Sequence, residues 1–296
     1  MNKSYVSGLA VAALAMTSAA MAADVPAPAY KAPPPVLAPV PWSWTGLYIG
    51  AHIGGGWGSK DWSLPFENEG PLSIPIAQTD VHGFLGGVQA GLNYQVDRWV
   101  FGVEGQFSWT DLTGTSPCTV PATTEAVGVI SDGILLATGG WGCNSKVEWL
   151  ATAAARFGWT IDHALLFVKG GGAWVRDQHE ITCNLPFCVS DFLAISDPGT
   201  TFSGSRTRAG WMFGTGVEYL FAANWSAKIE YDFMDFGTAR VDLACNHALT
   251  ALGLVATAEG GCYDPLHVDI KQRLHIVKVG INYHFNWGKA PIVAKY

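Results

Sequence analysis

From Trp44 onward the chain alternates residue by residue between an apolar set and a set that carries charges and amides. Phe84, Val88, Ala90, Leu92, Tyr94 and Val96 form one set, and Gln89, Asn93 and Gln95 the other. Trp99, Phe101, Val103, Phe107 and Trp109 alternate with Glu104, Gln106 and Ser108. Val147, Trp149, Ala151, Phe157 and Trp159 alternate with Glu148, Thr152 and Arg156. Trp211, Phe213, Val217, Tyr219 and Phe221 alternate with Met212 and Glu218, and Trp225, Ile229, Tyr231 and Phe233 with Lys228, Glu230 and Asp232. Val277, Val279, Ile281, Tyr283 and Phe285 alternate with Lys278, Asn282 and His284. A period of two is that of a strand with two different faces. Tryptophans flank the apolar set at both ends, Trp99 and Trp109 in one segment and Trp149 and Trp159 in another. Membrane-spanning strands place aromatic girdles at these positions.

Adding Leu47 to Trp57 and Leu166 to Trp174 brings the number of strands to eight. Asp97, Asp162-His163 and Ala222 to Asn224 mark short turns, and the long connections cover roughly 59–81, 113–145, 182–203 and 244–267. The expected fold is all-β: an eight-stranded antiparallel transmembrane β-barrel, an up-and-down meander with its apolar face to lipid. A closed barrel is the one sheet that satisfies its backbone inside a bilayer. A soluble barrel would reverse the pattern, with apolar residues inside. An even strand number places both termini on the short-turn side, the periplasm, and the four long loops outside. Ala126 to Thr138 reads as a hairpin around Ser131-Asp132-Gly133, too short to span and placed within the second long connection.

The N-terminus carries Lys3, the short apolar run Val6 to Ala15 and the small-residue site Ala20-Met21-Ala22. This is the form of a secretory signal over residues 1–22, well short of the roughly 20 apolar residues of a transmembrane helix. Residues 23–43 are rich in Pro and Ala and form an extended linker, a spacer or a tether to an envelope partner. Residues 44–296 are the barrel with its loops and a short periplasmic tail. The net charge of −7 argues against a nucleic-acid partner, which needs a basic face. Charged residues make up only 14% of the chain, which suits a wall facing lipid.

By parity Glu104, Glu148, Glu218 and Glu230 face the lumen with Arg156, Lys169, Lys228 and Lys278. An eight-stranded barrel is barely wide enough for its own side chains, so these charges are expected to pair across the interior. They form either a plug that holds the barrel shut or the lining of a narrow pore. Arg206 and Arg208 lie near the outer rim, within reach of acidic lipid headgroups. The cysteines, Cys118, Cys143, Cys183, Cys188, Cys245 and Cys262, all fall in the long connections. Six allow 15 pairings. Neighbours within a loop are the simplest choice: Cys118 with Cys143, Cys183 with Cys188, Cys245 with Cys262. Their spacing, even with His179 and His247 nearby, fits no standard zinc pattern, and no metal or cofactor is expected. His52, His82, His275 and His284 lie on different strands and suggest no Ser-His-acid cluster, so no catalytic residue is assigned.

Three stretches carry a family likeness: WTGLYIGAHIGGGWG from Trp44, FLGGVQAGLNYQVDRWVFGVE from Phe84, and VKVGINYHF from Val277 to Phe285. They resemble the small outer-membrane β-barrel proteins of Gram-negative bacteria, the porin-family or surface-antigen barrels, over about residues 42–296. The resemblance implies an outer-membrane location among lipids and insertion by the barrel-assembly machinery. It implies a monomer, and a role in envelope integrity and surface presentation, with any extracellular ligand held by the loops. A low-conductance diffusion channel is the alternative. Tyr283 and Phe285 match the closing strand that carries the assembly signal, although NWGKAPIVAKY follows Phe285 here.

Overall fold

The computed structural model describes residues 42–65, 73–118, 140–184, 188–190, 194–196, 201–246 and 266–285, the two short internal segments by backbone only. The secretory signal, most of the linker, the Ala126 to Thr138 hairpin and the tail after Phe285 lie outside the described residues. The strands are β1 (Gly46–Pro65), β2 (Ser73–Val96), β3 (Trp99–Cys118), β4 (Trp141–Ile161), β5 (Ala164–Cys183), β6 (Cys188–Ser190), β7 (Ala194–Ser196), β8 (Thr201–Ala222), β9 (Trp225–Asn246) and β10 (Leu266–Phe285). Eight of them close into an antiparallel barrel in the order β1-β10-β9-β8-β5-β4-β3-β2, and β6 with β7 forms a separate small hairpin. At the two-residue turns after β2 and β4, Asp97 and Asp162 take the left-handed conformation, at φ of 53° and 51°. Asp tolerates this region through local hydrogen bonding.

On the short-turn side the strands stop where the alternation places them, and on the loop side they run much further. β1 and β2 remain paired to Pro65 and Ser73, inside what the sequence reads as a loop over 59–81. β3 and β4 remain paired up to Cys118 and Trp141, inside the expected loop 113–145. The physical reason lies in the outer wall. In β3 the exposed apolar set runs from Trp99 to Trp109. At a rise of about 3.3 Å per residue and a tilt of about 40°, that stretch covers about 25 Å, the height of a lipid-facing band. Strands of 20 to 24 residues therefore continue well beyond the bilayer. Beyond the belt the outer face turns polar: Asp61, Asp80, Asp111, Lys146, Arg176 and Arg240 are exposed. The inner face turns apolar, with Trp62, Leu64, Ile76, Trp141, Ile181, Phe202, Val241, Leu243 and Ile270 in one buried cluster. The end near the long loops is thus built like a water-soluble barrel, and the end near the short turns like a membrane one.

Irregularities mark the junction. Pairing shifts between Trp109 and Leu112, between Val147 and Trp149, and between Lys271 and Arg273. In β4 the shift leaves Glu148 and Trp149 both partly exposed, with Val147 and Leu150 buried on either side. A bulge re-aims every side chain beyond it. This corrects two sequence assignments: Val147 faces inward, and Glu148 faces outward, where it accepts a hydrogen bond from Arg176 at 2.7 Å. A second re-aiming occurs in β9 near Gly237 (φ 61°). Met234 and Phe236 are buried before it, Val241 and Leu243 after it.

Candidate functional site

The interior is a stack of layers. Nearest the short turns, Trp44, Val100, Leu165, Phe167 and Leu220 form an apolar floor. Gln95 holds the chain entering β1, its Oε1 accepting from the Trp44 backbone amide at 2.8 Å. His284 lies edge-on to Trp44, ring centroids 5.5 Å apart.

Above the floor is a fully buried charge network drawn from six strands. Glu104 lies 3.2 Å from Lys169 and 3.0 Å from Lys228. Glu230 is held by Lys169 at 3.0 Å, Lys228 at 2.9 Å and Lys278 at 3.0 Å. Asp232 lies 2.7 Å from Lys278 and 3.3 Å from Lys169 as an ion pair. Arg156 pairs with Glu218 and lies over the Phe167 ring, 3.8 Å from its centroid. The Tyr48 hydroxyl donates to Glu104 at 2.8 Å, and the Gln106 amide to both Glu104 and Glu230 at 2.8 Å. Glu148 is absent from this network and Asp232 takes its place. Four carboxylates, Glu104, Glu218, Glu230 and Asp232, thus face four cations, Arg156, Lys169, Lys228 and Lys278. In a low-dielectric interior such matching is what makes charge burial tolerable.

An apolar layer follows, with Leu85, Leu112, Val147, Leu150, Val175, Met212, Met234, Leu274 and Ile276. Beyond it lies a smaller polar layer. Asp177 accepts from Lys60 at 2.9 Å and from Arg208 Nε at 3.1 Å and Nη2 at 3.0 Å. Gln272 donates to Asp177 at 3.3 Å. Arg208 is buried here, whereas Arg206 is exposed and reaches the Arg240 carbonyl. The apolar cluster around Trp62 closes the stack. Cys118 and Cys143 lie within it, bonded to each other with Cα atoms 5.6 Å apart. Cys183 and Cys245 are also disulfide-bonded; the side chains of Cys188 and Cys262 lie outside the described residues. The described cysteines occupy strand ends rather than loops, because the strands run further than the apolar alternation. Tyr283 and Phe285 stand at the end of β10, paired with Ile49 and Leu47 of β1.

The sequence reading missed three serine–histidine contacts. His52 contacts Ser108 at 2.8 Å, His179 contacts Ser145 at 3.0 Å, and His284 contacts Ser226 at 2.8 Å. Glu218 lies 3.4 Å from His284 and so completes a Ser-His-acid group that the spacing of these residues does not reveal. Its members are 58 and 66 positions from His284 in the chain, and the antiparallel register of the neighbouring strands β8, β9 and β10 brings them together. All these side chains are buried. The groups serve as hydrogen-bond partners in the interior.

A closed antiparallel barrel with a lipid-facing belt and a filled core is therefore on hand. The family model for the outer membrane protein beta-barrel domain matches residues 9–285. The chain belongs to this family. It is an outer-membrane protein. The chain is 34% identical over 288 residues to the 31 kDa outer-membrane immunogenic protein of Brucella melitensis biotype 1, covering 93% of this chain and 97% of that protein. It is 25% identical over 242 residues to the 25 kDa outer-membrane immunogenic protein of Brucella abortus biovar 1, covering 80% and 86%. Among solved structures it is similar to the outer membrane protease OmpT from Escherichia coli, with a TM-score of 0.45 and 8% identity, covering 83% of this chain and 99% of that one. It is also similar to OprG from Pseudomonas aeruginosa, with a TM-score of 0.39 and 12% identity, covering 81% and 97%.

Proposed function

We propose that this protein is a sealed outer-membrane anchor that supports envelope integrity and presents its long loops at the cell surface. The observation that carries this is the layered interior. Two apolar layers and the apolar floor interrupt any polar path, and the charges between them are paired: four acids with four bases in the lower layer, and Asp177 with both Lys60 and Arg208 in the upper one. A conducting lumen needs a continuous wet route, whereas these side chains fill the cross-section. The names of the relatives, outer-membrane immunogenic proteins, suit surface presentation. Burial of the serine–histidine contacts supports a non-enzymatic role.

In this reading residues 1–22 are a cleaved secretory signal and residues 23–43 a periplasmic spacer. Both termini lie in the periplasm, and the barrel-assembly machinery inserts a monomer through the β10 end at Tyr283 and Phe285. The cysteine pairs Cys183–Cys188 and Cys245–Cys262 brace the loop end together with Cys118–Cys143. The test is single-channel recording of the refolded, disulfide-intact protein in a planar bilayer. Silence from a fully inserted, heat-modifiable barrel is expected. Steady openings altered by Lys278→Glu would replace the anchor with a low-conductance channel.

A further inference from the structure

The outer wall is uniform in height but not in character around its circumference. On β3, β4, β5 and β8, just beyond the belt, a polar groove of about 310 Å³ is lined by Thr113, Thr115, Asn144, Lys146, Gln178 and Glu180. The register stacks this face into rows. Thr115, Asn144, Glu180 and Ser203 are cross-strand neighbours, and the next row towards the bilayer is Thr113, Lys146 and Gln178. Below these sit the cations: Arg176 on β5 lies opposite Thr207, and the exposed Arg206 stands one position along β8, opposite Asp177. Then come the aromatics Trp109, Trp149, Trp174 and Trp211 at the edge of the belt.

The cations are poorly neutralised. Lys146 meets Asp111 only at 3.9 Å, with both side chains at least half exposed. The Arg176–Glu148 pair is exposed too. Among the described residues no carboxylate pairs with Arg206, which donates to the Arg240 carbonyl. Exposed pairs of this kind contribute little in water, so a multiply charged anion competes for the same donors. Glu180, held by Thr182 at 2.9 Å, is the acid that faces the groove itself and offers an acceptor.

Within the belt, directly below, one cross-strand row consists of Ala90, Gly105, Ala153 and Gly172. A Cβ placed on Gly105 would meet nothing nearer than 3.9 Å.

We propose that this face binds a phosphorylated glycolipid of the outer leaflet. Its phosphates would lie on Lys146, Arg176 and Arg206, its sugar hydroxyls on the Thr, Asn, Gln and Glu side chains of the groove, and its acyl chains in the shallow belt below. A plain phospholipid would use the cations and the belt but leave the groove empty. The site is independent of whether the lumen conducts.

The test uses diphosphoryl lipid A and the full disulfide-bonded protein in detergent, with adducts counted by native mass spectrometry against phosphatidylglycerol as competitor. The lipid A adduct is expected to persist under about tenfold excess of phosphatidylglycerol. The double variant Arg176→Glu/Arg206→Glu should weaken it about tenfold or more, as loss of charge-assisted phosphate contacts implies. Ala153→Leu, which fills the small row from outside, should weaken it while the heat-modifiable gel shift shows the barrel intact. Displacement by an equal amount of phosphatidylglycerol, or undiminished adducts in both variants, would overturn the proposal.

Discussion

Glu230 shows how a single residue acquires its importance from its surroundings. Lys169, Lys228 and Lys278 converge on its carboxylate, and the Gln106 amide donates to it. Glu230→Gln removes one negative charge from a buried group of four acids and four bases and leaves a cation uncompensated. Breaking a buried pair from one side costs about 3–5 kcal/mol. That loss should appear in urea titrations of folding into phospholipid vesicles. Pairing it with Lys278→Met restores the balance, so the double variant should be more stable than the two single losses added together, by on the order of 1 kcal/mol. Strict additivity would show that the charges do not act as one network. The contrast is Glu148, an acid of the same alternating pattern whose exposed pair with Arg176 is worth at most about 1 kcal/mol. No property of the two residues distinguishes them; the bulge beside Trp149 does.

At the scale of the element, strands keep their periodicity but change their meaning along their length. In β10 the even positions are inward throughout. They read Leu266, Val268 and Ile270 near the loops, and Lys278, Asn282 and His284 near the turns. The odd positions read Asp269, Lys271 and Arg273, then Val277, Val279 and Ile281. The inversion is visible in the sequence once the strand is known to continue, yet the break in apolar alternation reads as the start of a loop. β4 and β9 add a local change of face that alternation cannot show. In β9 it is located at Gly237, whose φ of 61° suits glycine, while a Cβ there would have nothing within 4 Å. Gly237→Val should therefore cost about 1–2 kcal/mol through backbone conformation alone. Gly237→Asn should cost less, because Asn enters the left-handed region more readily. Equal losses from both variants, measured by the same urea titration, would point to packing instead.

For the whole molecule, the belt places the bilayer at the turn-side half and leaves the loop-side half standing in water. The native cysteines in the described region are oxidised, so one added cysteine can carry a spin label. A label at Ala153→Cys should be reached by dissolved oxygen and shielded from a water-soluble nickel chelate. A label at Lys146→Cys should show the reverse. Similar accessibility at both would mean that lipid covers the full height of the wall. The same division explains the disulfide Cys118–Cys143: it lies in the apolar cluster of the protruding half, where lipid gives the wall no lateral support. The layers across the interior also exist only at this scale. Each strand contributes one or two side chains to a layer, and eight strands in register complete it.

Alternation, aromatic ends and turn residues are local signals, and from them the sequence alone determined an eight-stranded barrel, its lipid face over the belt and its short turns. It also identified seven of the eight matched lumen charges as lumen-facing network residues, with Asp232 recognised as polar-face but not as the eighth partner. What only the tertiary structure decided depends on which strands meet and in what register: the outward turn of Glu148, the serine–histidine contacts, the protruding half and the layered interior. The physical reason is that side-chain direction follows from the strand itself until a bulge intervenes, whereas partners and layers follow from barrel closure, which joins residues far apart in the chain.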